Sequence, residues 1–129
     1  MKQVVYVVNP DISLCNRIAS LLTFPSLAIK TFECFEDFQA QSHTIAPGSL
    51  LIIDSEIQGL NIIEYLEELK QKKLNIYVIV MGKEDDVPQA VKIIRAGATE
   101  IVSKPFTDQK LKMCIKKILS SETKENTDI

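Results

Sequence analysis

Three ionisable side chains stand just beyond short apolar runs of the sequence and are the first candidates for chemistry. Asp54 directly follows the apolar run at residues 50–53, and Asp11 and Lys104 each lie shortly beyond another such run. Carboxylates bind divalent cations through their oxygens, and a lysine ammonium can pair with the same oxygens. The residue types therefore allow either a reactive polar site or a structural ion pair between Asp54 and Lys104. The spacing alone leaves both open.

The elements that must position these side chains follow from the hydrophobic pattern, which switches between continuous apolar runs and runs at helical spacing. Residues 4–8 and 50–53 are continuous, as expected for strands that are covered on both faces. From Ile12 onward the apolar residues recur at helical intervals, which predicts one buried helical face. The same alternation predicts strands at 4–8, 27–32, 50–53, 76–81 and 99–102, separated by helices that begin near residues 12, 35, 62, 87 and 111. Five strands alternating with five helices predict an α/β fold, a doubly wound parallel sheet with helices on both faces.

Local signals mark the ends of the last two helices. Pro88 suits the first turn of the fourth helix, where its missing N–H costs nothing, and Gly97 suits the position after its last residue. Thr107 or Asp108 can cap the fifth helix.

The functional crevice of such a sheet lies beyond the carboxyl ends of its strands. That rule directs attention to residues 9–11, 54–56, 81–83 and 103–105. Asp54 is predicted to stand at the rim of the central strand, and Lys104, placed after the last strand, to reach it. This prediction concerns the place of a site and not its chemistry.

Composition excludes several classes of protein. The chain has 129 residues, 46% of them hydrophobic, which suits one domain with one core. No apolar run approaches the roughly 20 residues that cross a bilayer, and the N-terminus lacks the layout of a signal peptide. We therefore expect a cytoplasmic protein that does not contact membranes. The net charge of −2 also argues against direct binding of nucleic acid.

The sequence has few cysteine and histidine residues that could form a disulfide, a metal site or a catalytic site. Cys15, Cys34 and Cys114 are odd in number and widely spaced, which predicts small core residues rather than a disulfide framework or a zinc site. His43 is the only histidine, so the sequence does not support a catalytic triad or a histidine-based metal site.

Three stretches of the sequence carry a family resemblance. They are Leu51-Ile52-Ile53-Asp54, the stretch from Asp86-Val87-Pro88 to Ala96-Gly97-Ala98, and Lys104-Pro105-Phe106. In this order and at these separations they resemble the receiver domains of bacterial two-component response regulators, most closely those attached to helix-turn-helix output domains. The resemblance extends from Val4 to Leu119. It implies a flavodoxin-like (CheY-like) sheet of strand order 2-1-3-4-5, in a domain at residues 1–120 that is followed by a polar tail or truncated linker at 121–129.

The resemblance also implies a mechanism. In receiver domains an aspartate at the end of the third strand accepts a phosphoryl group from a histidine kinase, and Asp54 matches it. Lys104 matches the lysine that binds the phosphoryl oxygens, and its peptide bond to Pro105 is implied to be cis. Glu56 is placed to offer its backbone carbonyl to a Mg²⁺ that Asp54 also holds.

The chain departs from the family pattern at the metal site. The two acidic residues that help hold Mg²⁺ fall on Asn9 and Pro10, and Asp11 could replace one of them only if the loop shifts. Asn9 and Pro10 also suit a helix cap and a first helical position. Asp11, Asp54 and Glu56 would therefore form at most a weak Mg²⁺ site.

The phosphate-binding and switch positions differ as well. The family's Ser or Thr falls on Gly82, or on Met81 if the loop is one residue out of register, and neither has a hydroxyl. Gly82 could still donate its backbone N–H. The aromatic switch residue falls on Ile101, which is stiff and β-branched.

We therefore predict an atypical receiver that acts mainly as a protein-interaction and regulatory module, not an enzyme, with Asp54 and Lys104 as a resident ion pair and no cofactor or a weakly bound Mg²⁺. Its partners would be a histidine kinase, an output domain, or a second copy docked on the face of the fourth helix, fifth strand and fifth helix. The alternative is a phosphorylatable receiver in which Asp11 replaces the acidic pair. A flavodoxin-like cofactor protein is disfavoured because residues 9–13 have no glycines to cradle a phosphate.

Overall fold

The computed structural model describes residues 3–22, 27–41, 44–83 and 87–127. His43, Asp86 and the last two residues of the predicted tail lie outside the described residues. The strands are β1 (Gln3–Val8), β2 (Leu27–Phe32), β3 (Leu50–Asp54), β4 (Tyr77–Lys83) and β5 (Glu100–Lys104). The helices are α1 (Ile12–Leu21), α2 (Phe35–Ala40), α3 (Ile62–Gln71), α4 (Val87–Ala96) and α5 (Asp108–Thr127).

All neighbouring strands are parallel, in the order β2-β1-β3-β4-β5. The predicted fold class and strand order are therefore confirmed. In β3, adjacent residues point to opposite faces of the sheet, so Ile52 and Ile53 enter different apolar clusters. One cluster packs β-strand residues against α1 and α5, and the other packs them against α2, α3 and α4.

The helix ends follow the predicted signals in part. Gly97 has a φ of +129° after the last residue of α4, a backbone conformation that favours glycine. Thr107 caps α5, because its Oγ1 accepts the N–H of Lys110 at 3.1 Å. The helix α5 continues to Thr127, so the backbone of residues 121–127, predicted as a loose tail, is helical.

Two predictions about burial are wrong. Ile12, predicted to belong to the buried face of the first helix, is the first residue of α1 and is 52% exposed, whereas Cys15 and Ile18 of the same helix are buried. Cys34, predicted as a core residue, is exposed at the start of α2, while Cys15 is buried and Cys114 partly buried. Within the described ranges no helix is long and apolar enough to cross a membrane.

Candidate functional site

The loop between β1 and α1 is an Asn-Pro-Asp turn. The Oδ1 atom of Asn9 accepts the backbone N–H of Asp11 at 2.8 Å, with Pro10 between them. The Asp11 carboxylate in turn caps α1, since its Oδ1 accepts two N–H groups of the first helical turn at 2.9 and 3.3 Å. The prediction that Asn9 caps the helix and Pro10 begins it is therefore wrong. Asp11 is the cap because helical geometry begins only at the residue after it.

Asp54 accepts three hydrogen bonds at the carboxyl end of β3. Its Oδ2 atom lies 2.6 Å from Lys104 Nζ and 3.2 Å from Asn9 Nδ2. Its Oδ1 atom accepts the backbone N–H of Glu56 at 2.8 Å. Asp54 is the last residue of β3, and its side chain is 9% exposed because its donors enclose it.

The orientation of the Asn9 amide is fixed by its partners. Because Oδ1 already accepts from Asp11, the NH₂ group is the end that faces Asp54. The backbone of Asn9 is also held, since its N–H donates to the carbonyl of Phe32 at 3.0 Å and its own carbonyl accepts from the Cys15 thiol at 3.4 Å. Burial, together with the nearby Asp11 charge, raises the pKa of that thiol and keeps it a donor. Asn9 thus presents a hydrogen-bond donor where the family pattern has a carboxylate.

Lys104 is the last residue of β5, not a loop residue, and its ammonium lies between two carboxylates. The second is Glu56, whose Oε2 atom is 3.9 Å from Lys104 Nζ. The Oε1 atom of Glu56 pairs with Lys83 Nζ at 3.1 Å. Charges therefore alternate in a chain from Asp54 to Lys83. The peptide bond between Lys104 and Pro105 is cis, as the resemblance implied.

Met81 and Gly82, the two positions that could match the family's hydroxyl residue, have different surroundings. Met81 is fully buried in the core, whereas Gly82 lines a cavity of about 150 Å³, with Ser55, Glu56 and Ile101 among its other lining residues. A Cβ atom at Gly82 would lie 3.6 Å from Ser55 Oγ, which is an ordinary contact distance. Position 82 therefore has room for a Cβ atom.

Ser55 and Lys83 belong to the site although no role was predicted for them. Both lie in the segments that the sequence placed at the crevice, at residues 54–56 and 81–83. Their neighbourhood was thus predictable from strand ends. The Glu56–Lys83 pair was not, because it depends on side-chain directions beyond two strand ends.

The donor set does not fit Mg²⁺. This ion requires near-octahedral oxygen ligands, but Asn9 turns its NH₂ group to the site and Pro10 has no side-chain ligand. The Asp11 carboxylate faces α1, and the Glu56 carboxylate pairs with two lysines. The predicted ligands are thereby reduced to the Asp54 carboxylate and the Glu56 backbone carbonyl, too few for an octahedral site. The described ranges contain no group of three or more His, Cys, Asp or Glu side chains that could hold a metal ion.

Comparison with known proteins assigns the family. The model of the response regulator receiver domain matches residues 5–116, which is most of the chain. The chain belongs to the response regulator receiver domain family. Receiver domains are signalling modules that interact with histidine kinases and output domains.

Two relatives of this receiver are about twice its length. It is 31% identical to nodulation protein W of Bradyrhizobium diazoefficiens over 85% of the chain and 48% of that protein. It is 32% identical to the transcriptional regulatory protein FixJ of Rhizobium meliloti over 81% of the chain and 50% of that protein. The receiver thus spans about half the length of these relatives. The crystal structure of FixJ-N superposes with a TM-score of 0.78 at 28% identity, covering 93% of this chain and 95% of that one.

Proposed function

We propose that this receiver domain acts mainly as a protein-interaction module in two-component signalling, with Lys104 and Asn9 occupying Asp54 in place of Mg²⁺ and a phosphoryl group. The observation that carries the proposal is the Asn9 amide. Both of its ends are engaged, at 2.8 Å to Asp11 N–H and 3.2 Å to Asp54 Oδ2. Asn9 cannot turn an oxygen toward a cation without giving up both hydrogen bonds.

Two further features support impaired phosphorylation. Phosphoryl transfer requires positive charge and donors around the equatorial oxygens of the transferred group. Lys104 already pairs with Asp54 and Glu56, and Gly82 supplies no hydroxyl.

The face of α4 and β5 supports a docking role. Val87, Val91 and Ile94 lie at helical spacing on α4 and are 66%, 44% and 46% exposed. They line a groove of about 530 Å³ that Ile101 of β5 also borders. Exposed apolar side chains in one patch mark interaction surfaces. We propose that a second copy of the chain docks on this face. A histidine kinase and an output domain would be the remaining partners, in the cytoplasm.

Light scattering tests the dimer. Ile94→Asp should shift the protein to the monomer mass, whereas Ile12→Asp, an equally exposed site on α1, should leave the mass unchanged. A wild-type protein that is monomeric at high concentration, or a dimer that Ile94→Asp leaves intact, would remove this part of the proposal.

Labelling with a small-molecule phosphodonor tests the main proposal. With acetyl phosphate and Mg²⁺, the intact mass of the wild-type protein should not increase by a phosphoryl group. The double variant Asn9→Asp, Gly82→Thr is the positive control, since it supplies a carboxylate and a hydroxyl at these two positions. Rapid stoichiometric labelling of the wild type that Asp54→Asn abolishes would overturn the proposal.

The alternative function, a receiver phosphorylated on Asp54 by a histidine kinase, is favoured by one observation. A cavity of about 150 Å³ lies at Gly82, where the family pattern has its hydroxyl, and Ser55 is among the residues that line it. In the version in which Asp11 replaces the acidic pair, the Asp11 side chain would have to release its two N–H donors on α1. Kinase-dependent labelling that Ser55→Ala slows would favour this function.

A further inference from the structure

The segment that follows Lys104 is held by a side chain from another helix. Lys104 is the last residue of β5 and pairs in register with Lys83 of β4. After it, Pro105, Phe106 and Thr107 connect to α5. Strand pairing therefore fixes Lys104 from one side only, and its position depends also on what holds this connection.

Arg17 of α1 makes three contacts with that connection. Its Nε atom donates to Asp108 Oδ1, and its Nη2 atom donates to the backbone carbonyl of Phe106 at 3.2 Å. Its guanidinium carbon also lies 5.1 Å from the centre of the Phe106 ring. A planar guanidinium that forms two hydrogen bonds and a ring contact fixes orientation in a way that a point charge does not.

The two elements joined by Arg17 are those that carry the donors on Asp54 Oδ2. Asn9 belongs to the loop that leads into α1, and Lys104 precedes the connection to α5. Helix α1 is in turn tied to that loop through the Asp11 cap and the Cys15 thiol. A continuous set of contacts therefore runs from Asn9 through α1 and Arg17 to the residues just beyond Lys104.

We propose that Arg17 is a positioning residue, which sets the distance between Asn9 and Lys104 around Asp54. This inference rests on the proposed function, because it concerns the resident ion pair. A simple surface salt bridge between half-exposed partners such as Arg17 and Asp108 would add little stability. It would also have no effect on the buried Asp54 carboxylate, so the proposed role is distinct from it.

The NMR signal of the Lys104 ammonium, recorded on the ¹⁵N-labelled chain, tests the inference. An ammonium that donates to a carboxylate at 2.6 Å should exchange its protons slowly enough to give a resolved signal. Arg17→Met should speed that exchange by about threefold or more, a change within the range of couplings between residues in one network. Arg17→Lys keeps the charge but loses the planar guanidinium that forms two hydrogen bonds, so it should give an intermediate exchange rate. Asp108→Asn should shift the rate in the same direction.

Lys72→Met provides the matched control. Lys72 pairs with Glu68 on α3, and both side chains are about as exposed as those of Arg17 and Asp108. This variant should leave the Lys104 exchange rate and the Asn9 side-chain amide shifts unchanged.

Two results would overturn the inference, and they differ. If the wild type shows the slow Lys104 signal and Arg17→Met alters it no more than Lys72→Met, Arg17 is only a surface contact and the proposed function survives. If the wild type shows no slow signal, and Mg²⁺ shifts the Asp54 resonances, the resident ion pair itself is refuted and the inference falls with it.

Discussion

Replacing Asn9 with aspartate would turn the buried donor beside Asp54 into a second carboxylate. In the wild type, Asn9 Nδ2 lies 3.2 Å from Asp54 Oδ2. Two unit charges at that distance repel by about 5 kcal/mol at an effective dielectric constant near 20. Lys104 and rotation of the new side chain would relieve part of this repulsion. We therefore expect Asn9→Asp to lower the free energy of unfolding by about 2 kcal/mol without divalent cations, roughly 6–10 °C in Tm for a domain of this size.

Magnesium should restore much of that loss in the variant, and only there. The two carboxylates would offer Mg²⁺ the hard oxygen ligands that it prefers. If the dissociation constant is about one tenth of the Mg²⁺ concentration, binding adds about 1.4 kcal/mol to the stability of the folded state. Thermal unfolding followed by circular dichroism, with and without Mg²⁺, measures both effects on the same samples.

Asn61→Asp is the control for this prediction. Asn61 is exposed and caps α3, where its Oδ1 accepts the N–H of Glu64 at 3.1 Å. Aspartate is an equally good cap, so this variant should unfold within about 0.5 kcal/mol of the wild type. Our reasoning would be refuted if Asn9→Asp were as stable as the wild type without Mg²⁺, or if Mg²⁺ stabilised the wild type as much as the variant.

Three further predictions concern the cavity, the core and the thiols. Gly82→Thr should raise the free energy of unfolding by up to about 1 kcal/mol in urea titrations, since the cavity accepts a Cβ and threonine favours strands; a loss of more than that would show that the space is not available. Tyr65→Phe should raise it by about 1 kcal/mol, because the buried Tyr65 hydroxyl has no partner among the described residues; a destabilised variant would reveal a hydrogen bond to that hydroxyl. Burial and the Glu100 charge raise the pKa of Cys114 to about 11, so only about 0.1% of this thiol is thiolate at pH 8. The exposed Cys34 should therefore react first with a thiol reagent, as measured by mass spectrometry. Equal reaction rates would contradict the burial of Cys114.

The fold was predictable because each strand and helix has its own local pattern. The continuous apolar run at 50–53 is typical of a strand covered on both faces, and the structure buries all of it. Strand ends were less predictable, since β4 and β5 each continue beyond their apolar residues to a lysine. Polar residues can extend a strand wherever a neighbour pairs with them, as Lys83 and Lys104 do with each other.

The site was predictable in place but not in connectivity. Asp54 and Lys104 meet as expected because parallel strands bring their carboxyl ends to one edge. The sequence could not tell which of Asn9 and Asp11 caps α1, because both are good caps and their choice depends on where the turn closes. Nor could the sequence predict the contact of Arg17 with Asp108, because the two residues are 91 positions apart in the chain.

The central claim is that Asp54 is held by the chain's own donors and does not use Mg²⁺. Amide NMR spectra of the wild type, recorded with rising Mg²⁺ and then with beryllofluoride, test it most directly. We predict no saturable shifts at Asp54, Gly82 and Lys104 at millimolar Mg²⁺, and no further change with beryllofluoride. Saturable shifts at these three residues that spread to Ile101 would contradict it, because they would show that Mg²⁺ and a phosphoryl mimic displace Asn9 and Lys104 from Asp54.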